Sequence, residues 1–166
     1  MPAPSPLVSI SNRQRDRRVS IPGLRRWTLL TLRFLKSDAE LGIHLVSTAE
    51  MTEVNGRFLG HDGSTDVITF DHGSIPGRLH GELYISIADA IDQARSFRTT
   101  WQQELGRYVI HGLLHLTGED DLEPGARRRM KRRENQLFGH VESLIPTASL
   151  ERPPVLPRRP VPPRHG

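Results

Sequence analysis

Apolar residues return every three or four positions along two stretches of this chain, residues 22–37 and 100–116. Such spacing predicts two amphipathic helices, because it places the apolar side chains on one face of each helix. Between residues 41 and 47, apolar and polar residues alternate instead. Alternation predicts a strand whose apolar side chains lie on one buried face.

Helix-capping residues mark where the predicted helices begin. Ser20 suits the N-cap of the first helix, and Thr100 with Gln103 forms a capping box for the helix at 100–116. The other predicted elements are strands at 7–11, 65–70 and 81–87 and helices at 47–58, 87–97 and 124–138. Because strands and helices are mixed and joined by short connections, we expect one α+β domain in which a small mixed β-sheet packs with about five helices.

The segment that begins at Pro146 differs in composition from the rest of the chain. Of its residues, seven are proline and four are arginine. Such a segment cannot bury enough apolar area to offset the entropy lost on ordering, so it is predicted to be a disordered tail. The sequence thus divides into a folded domain at 1–145 and a tail at 146–166, which either stays inert or touches RNA or a partner.

The net charge of +4 conceals an uneven distribution along the chain. Lys, Arg, Asp and Glu together give +5 over residues 1–40, −8 over residues 41–123 and +7 over residues 124–166. The acidic middle could hold a cation, and the basic flanks either attract a polyanion such as RNA or only keep the protein in solution. No cysteine is present, which excludes disulfides and thiolate metal sites, and no apolar run reaches the length of a membrane span. We therefore expect a cytoplasmic protein without membrane contact.

The segment HGLLHLTGEDD, residues 111–121, has the spacing of a metal site. His111 and His115 lie four residues apart, so both imidazoles face the same side of a helix. Gly118 can end that helix and turn the chain back, which brings Asp121 to the same ion as a third ligand. Glu119 and Asp120 are alternative third ligands, and the histidines could instead be satisfied residues at a helix end.

Two imidazoles and one carboxylate leave a fourth coordination position open, as a catalytic zinc requires. The carboxylate also widens the choice of ion toward harder metals. A peptidase with this motif has glutamate directly after the first histidine, where it acts as general base. Here Gly112 takes that position, which we interpret as leaving room beside the metal and as evidence against a protease.

A run of cations follows the metal motif within a few residues. It consists of Arg127, Arg128, Arg129, Lys131, Arg132 and Arg133. Six cations in seven helical positions surround much of the helix, so either some of them contact an RNA backbone or they form a solvated face.

Several segments in the same order resemble the YbeY family of metal-dependent endoribonucleases, over about residues 41–138. The resemblance is carried by the following residues: Met51–Asn55 followed by Phe58, Thr65–Phe70, Gly81–Ser86, the metal motif with Gly112, and Met130 with Glu134. Two departures stand out. Asp121 replaces the family's usual third histidine, and Leu59 occupies the position of an arginine thought to contact RNA.

The resemblance implies a zincin-like domain with one Zn²⁺ ion. It also implies a single-strand-specific endoribonuclease that acts in rRNA maturation, at the 3′ end of 16S rRNA, and in ribosome quality control. Its implied partners are RNA and the ribosome or its small subunit; the oligomeric state is not predicted. An activated water or a ribose 2′-OH would attack phosphorus. No side chain stands out as general base, although Glu82, Glu119 and Asp66 are weak catalytic candidates. The alternatives are a non-catalytic ribosome-assembly factor with a structural metal and a metallopeptidase.

Overall fold

A computed structural model of the chain describes residues 5–58, 67–155 and 158–164. These residues form four strands, five α-helices and one short 3₁₀ helix. In chain order the elements are β1 (Leu7–Asn12), α1 (Ile21–Phe34), β2 (Asp38–Val46), α2 (Thr48–Phe58), β3 (Val67–Asp71), β4 (Arg78–Ser86), α3 (Ile87–Phe97), α4 (Trp101–Leu116), α5 (Pro124–Leu144) and the 3₁₀ helix Thr147–Leu150. The predicted α+β class with five helices is confirmed.

The four strands form one mixed sheet in the order β1-β2-β4-β3. β1 and β4 run parallel to β2, whereas β3 is antiparallel to β4 and forms an edge. Strand alternation gives the sheet two different faces. One face is apolar and buried under helices, and the other carries polar side chains such as His44 and Glu82, neither of which is fully buried.

Helix α4 lies across the buried face and organises the core. Ten of its side chains or glycines are buried, and it contacts β3, β4, α1, α3 and α5. Gly106 and Gly112 allow this close packing. A Cβ on Gly106 would lie 2.7 Å from the ring of Trp27, and the Trp27 indole N–H donates a hydrogen bond to the carbonyl of Gly106 at 3.1 Å. The helix that carries the two motif histidines is therefore held on several sides.

The predicted helix starts are confirmed by their hydrogen bonds. Ser20, Ser86 and Thr100 each accept a hydrogen bond from a backbone N–H in the first turn, and Thr100 with Gln103 completes a capping box. The element ends agree less well. β2 and β4 each begin three residues earlier than predicted, and α5 continues six residues past Phe138 because Val141 packs into the core.

The first residues of the predicted disordered tail belong to the folded domain, which corrects the boundary drawn at 145. Leu150 is fully buried and Thr147 nearly so. The carbonyl of Leu150 accepts a hydrogen bond from the N–H of Ser20 at 2.8 Å, and Glu151 forms an isolated bridge with Val19. Pro146 starts the 3₁₀ helix here, whereas composition alone suggested a chain that could not order. Residues 153–155 and 158–164 are exposed and form no helix or strand.

Within the described residues, no helix combines the length and the apolar character that a membrane span needs.

Candidate metal centre

The two motif histidines lie on the last turns of α4 and face each other across one helical turn. Their Nε2 atoms are 3.1 Å apart, and their rings meet edge to face. After Leu116 the helix ends at Thr117, and Gly118 adopts a positive φ of 99°. Glycine reaches this left-handed conformation without strain, and the chain reverses there as the sequence predicted.

The reversal brings Asp121 back to the histidines. Its Oδ2 lies 4.0 Å from Nε2 of His111 and 3.9 Å from Nε2 of His115. Two ligands of one zinc ion at about 2.0–2.2 Å can be no further apart than roughly 4.4 Å. All three separations meet this limit, so the three residues could hold one metal ion.

The surroundings of His115 favour the neutral imidazole that a metal requires. Burial lowers the pKa of His115, and the neighbouring His111 lowers it further. The other ring nitrogen, Nδ1, lies 3.1 Å from the carbonyl oxygen of Glu119. A carbonyl can only accept, so Nδ1 carries the hydrogen and Nε2 presents its lone pair toward Asp121.

Glu134, on α5, accepts a hydrogen bond from Nδ1 of His111, as the carbonyl of Glu119 does from Nδ1 of His115. Its Oε1 accepts a hydrogen bond from Nδ1 of His111 at 3.1 Å, and only 5% of the residue is exposed. Burial alone would raise the pKa of Glu134. Hydrogen bonds from His111 and Lys131 outweigh it, so the pKa is lowered and the carboxylate stays charged. A carboxylate behind a ligating histidine fixes its tautomer and increases its basicity.

Sequence reasoning missed this role of Glu134. The available signal was its position within the apolar stripe of α5, where Met130, Glu134, Leu137, Phe138 and Val141 are the buried residues. A carboxylate in such a stripe needs cationic or donor partners. It finds them in His111, in Lys131 at 2.9 Å and in Arg107 at 3.6 Å.

The alternative third ligands lie elsewhere. Asp120 is exposed, and its Oδ1 accepts from the N–H of Leu122. Glu119 turns its Oε1 toward Arg133 at 2.7 Å and meets His115 only through its backbone carbonyl. Among the described residues, Asp121 is the carboxylate that converges with both histidines.

Two residues named from the sequence lie outside the described ranges. They are Asp66, a weak catalytic candidate, and Leu59, which stands where the family has arginine. The described part of the Thr65–Phe70 motif forms most of the edge strand β3.

Glu82 does not join the metal group. Its neighbours Gly81 and Leu83 face α4, since a Cβ on Gly81 would meet Leu116 and Leu83 packs against Gly112. Glu82 therefore points to the opposite face of the sheet. There its two oxygens lie 2.8 Å from Nε2 of His44 and 2.8 Å from Nε2 of His72. Hydrogen bonds from His72 and His44 lower the pKa of Glu82.

Gly112 also has a different role from the one predicted. A Cβ there would lie 2.6 Å from a methyl group of Leu83, which is fully buried in the sheet. The position faces the sheet, so glycine allows α4 to approach β4 and does not leave room beside the metal. A glutamate at this position would meet the sheet.

The predicted RNA-binding cations of α5 divide into two groups. All six are exposed. Three have protein partners: Arg127 donates to the carbonyl of Asp121, Lys131 pairs with Glu134 and Arg133 pairs with Glu119. For Arg128, Arg129 and Arg132, no hydrogen bond or ion pair is found within the described residues.

The chain is similar to known proteins over most of its length. Residues 9–142 match the family model described as Endoribonuclease YbeY. A protein named Endoribonuclease YbeY from Bacteroides fragilis is 40% identical over 101 residues, which is 61% of this chain and 72% of that protein. One of the same name from Anaeromyxobacter sp. is 39% identical over 118 residues, covering 70% of this chain and 61% of its own.

A solved structure has a similar fold. The solution structure of a protein from Thermotoga maritima aligns with a TM-score of 0.55 and 27% sequence identity, over 86% of this chain and 95% of that one. The similarity therefore extends over nearly the whole of the solved protein.

Proposed function

Because the chain belongs to the YbeY family of endoribonucleases, we propose that it is a metal-dependent, single-strand-specific endoribonuclease that acts in rRNA maturation. The proposed substrate is the rRNA precursor, at the 3′ end of 16S rRNA, and the proposed partner is the ribosome or its small subunit. The reaction and its role in ribosome quality control belong to the cytoplasm, where ribosomes are assembled. The family match over residues 9–142 supports the RNA substrate.

The observation that carries the metal dependence is the convergence of His111, His115 and Asp121 at a half-exposed position. The donor set fits one zinc ion, since its atoms are close enough and His115 is biased toward the neutral form. Three protein ligands leave a coordination position for substrate or water. When bound, the ion would supply positive charge that stabilises the charge developing on a phosphoryl oxygen.

The protein's part in this proposal is to hold the donors in place. Glu134 and the carbonyl of Glu119 each fix one histidine through Nδ1. Gly112 allows α4 to pack closely on the sheet. Gly118 allows the turn that brings Asp121 back to the histidines. We assign proton transfer to no side chain, since Glu82 faces away and Glu119 is engaged by Arg133.

Arg128, Arg129 and Arg132 are the proposed RNA contacts on α5. They are exposed on the helix that supplies Glu134, and no described acidic residue neutralises them. Arginine binds phosphate through its planar fork of N–H groups. The remaining members of the run, Arg127, Lys131 and Arg133, are proposed to contact RNA while also bracing the metal group.

A non-catalytic assembly factor with a structural metal is the less favoured function. The relatives are named as endoribonucleases, and the metal group lies at the surface rather than in the core. A metallopeptidase is opposed by Gly112, which leaves no general base after the first histidine.

The proposal is tested by incubating the zinc-loaded protein with small ribosomal subunits that carry unprocessed 16S rRNA and with unstructured RNA. The wild type is expected to cleave both, and His115→Ala neither. The matched control is His140→Ala, an exposed histidine of α5 away from the metal group. Binding of the wild type to subunits without any cleavage would instead support the assembly factor.

A further inference from the structure

The two basic flanks of the chain meet in the folded protein. Residues 13–18 follow β1, and residues 151–152 follow the 3₁₀ helix. The N–H of Arg152 donates to the carbonyl of Arg18 at 2.8 Å, and Val19 bridges to Glu151. Arginines that are far apart in sequence therefore share one surface.

This surface is a groove of about 730 Å³, which we name the arginine groove. Its charged lining residues are Arg15, Asp16, Arg17, Arg18, Glu151 and Arg152. Four cations against two carboxylates leave a net charge of +2. Within the described residues, none of these four arginines forms an ion pair, and Glu151 accepts a hydrogen bond from Gln102.

The arginine groove has a fixed backbone on its N-terminal side. Gln14 is 7% exposed and lies beneath the loop. Its amide nitrogen donates to Asn12 and to the carbonyl of Arg17, and its oxygen accepts from the N–H groups of Asp16 and Arg17. A loop fixed in this way loses less conformational entropy when it binds a ligand.

The first turn of α1 also opens into the arginine groove. Ser20, Ile21 and Pro22 line it, and no acidic residue occupies the first turn. The N-terminal end of a helix carries partial positive charge. It adds to the field of the arginines.

We propose that the arginine groove binds the phosphate backbone of the RNA strand at a distance from the cleavage site. Gln102, which contacts Glu151 at the rim, lies nine residues before His111 and thirteen before His115 on α4. At 1.5 Å per residue the groove is about 14–20 Å from the metal group along the helix axis. The inference rests on the proposed function, because that function supplies the RNA strand.

The chemistry of the lining favours phosphates over bases. No aromatic residue lines the arginine groove, so it offers no platform on which a base could stack. Arginine forks contact phosphate oxygens without reading sequence. Beyond Arg152 the chain carries Arg158, Arg159 and Arg164, which extends the positive charge in a way that suits a long polyanion.

The test compares two triple variants of equal charge in the full chain with His115→Ala, which prevents cleavage during binding. The groove triple is Arg15→Gln, Arg18→Gln and Arg152→Gln. The control triple, Arg26→Gln, Arg78→Gln and Arg95→Gln, removes three exposed cations outside the groove. Binding of unstructured poly(U) is measured against salt concentration, and thermal unfolding confirms that each variant folds.

Loss of three phosphate contacts should reduce the slope of log K against log salt by about 2 for the groove triple. The control triple should keep the wild-type slope. In the otherwise wild-type enzyme, the groove triple should raise KM for RNA and leave kcat unchanged. A wild type that binds RNA through the groove but never cleaves would contradict the proposed function and leave this inference standing.

Equal slopes for the two triples would overturn the inference. So would a groove triple that binds poly(U) normally but loses binding to polyglutamate, because the groove would then take an acidic protein segment.

Discussion

The carboxylate of Glu134 lies 3.1 Å from Nδ1 of His111, on the side of the imidazole away from the metal group. The contact joins α5 to α4 and is partly buried, because Glu134 is buried while His111 is half-exposed. Removing a carboxylate that accepts a hydrogen bond from a ligating histidine typically lowers metal affinity by roughly 10–100-fold. We expect Glu134→Ala to weaken zinc binding by about that factor, measured by competition with a chelator. We expect a smaller loss for Glu134→Gln, because the amide oxygen still accepts the hydrogen bond.

The matched control for Glu134 is Glu53→Gln, which removes an exposed carboxylate on α2. It should leave zinc affinity unchanged. Zinc affinity in Glu134→Ala equal to that of the wild type would show that the contact has no part in holding His111.

Asp121 is expected to influence which ion the site prefers. A carboxylate is a harder ligand than imidazole, so it favours harder ions. We expect Asp121→His to keep the three-donor set and to shift selectivity toward zinc over manganese. Asp121→Ala should weaken the binding of both ions by more than the roughly 10–100-fold expected for Glu134→Ala. The measurement is the ratio of the two affinities, and an unchanged ratio in Asp121→His would mean that Asp121 does not bind the ion.

Gly112 is expected to matter for packing. In Gly112→Ala the new methyl group would lie 2.6 Å from a buried methyl group of Leu83. Overpacking of this kind typically costs about 1–3 kcal/mol of unfolding free energy. The control is Gly139→Ala, where nothing lies within 4 Å and helix propensity should stabilise by about 0.5–1 kcal/mol. Denaturant unfolding measures both, and equal effects would refute the close approach of α4 to β4.

Glu82 is expected to contribute to stability and not to the reaction. Its pKa is lowered below the ordinary 4.5 by hydrogen bonds from His72 and His44. A lowered carboxyl pKa stabilises the fold above pH 4.5, and the stabilisation is lost as the pH falls through the lowered value. The difference in unfolding free energy between wild type and Glu82→Gln should therefore shrink below pH 4.5. Zinc affinity and RNA cleavage at neutral pH should not change; a large fall in cleavage would return Glu82 to the catalytic candidates.

The sequence predicted the convergence of the two histidines with Asp121 because their spacing is local. His111, His115, Gly118 and Asp121 lie within eleven residues, and helix geometry with one turn fixes their arrangement. The contact of Glu134 with His111 spans twenty-three residues and depends on how α5 packs on α4. Periodicity reveals the buried face of a helix but not the partner that it meets.

The segment after Pro146 and the position of Gly112 show the same limit. Proline and arginine content predicted disorder from Pro146, yet Leu150 fills a place in the core that only the assembled helices create. The role of Gly112 was misread for a related reason. Sequence shows that the position lacks a side chain, and only the sheet beneath it, at Leu83, shows why.

We expect RNA cleavage to require a metal ion held by His111, His115 and Asp121. The most direct measurement titrates zinc into metal-free protein while the metal content and the rate of cleavage of unstructured RNA are followed together. We predict that cleavage rises in proportion to bound metal, saturates at about one ion per chain and is abolished in His115→Ala. Cleavage by metal-free protein at the wild-type rate, or retention of both metal and activity in His115→Ala, would show that a metal at this site is not required for cleavage.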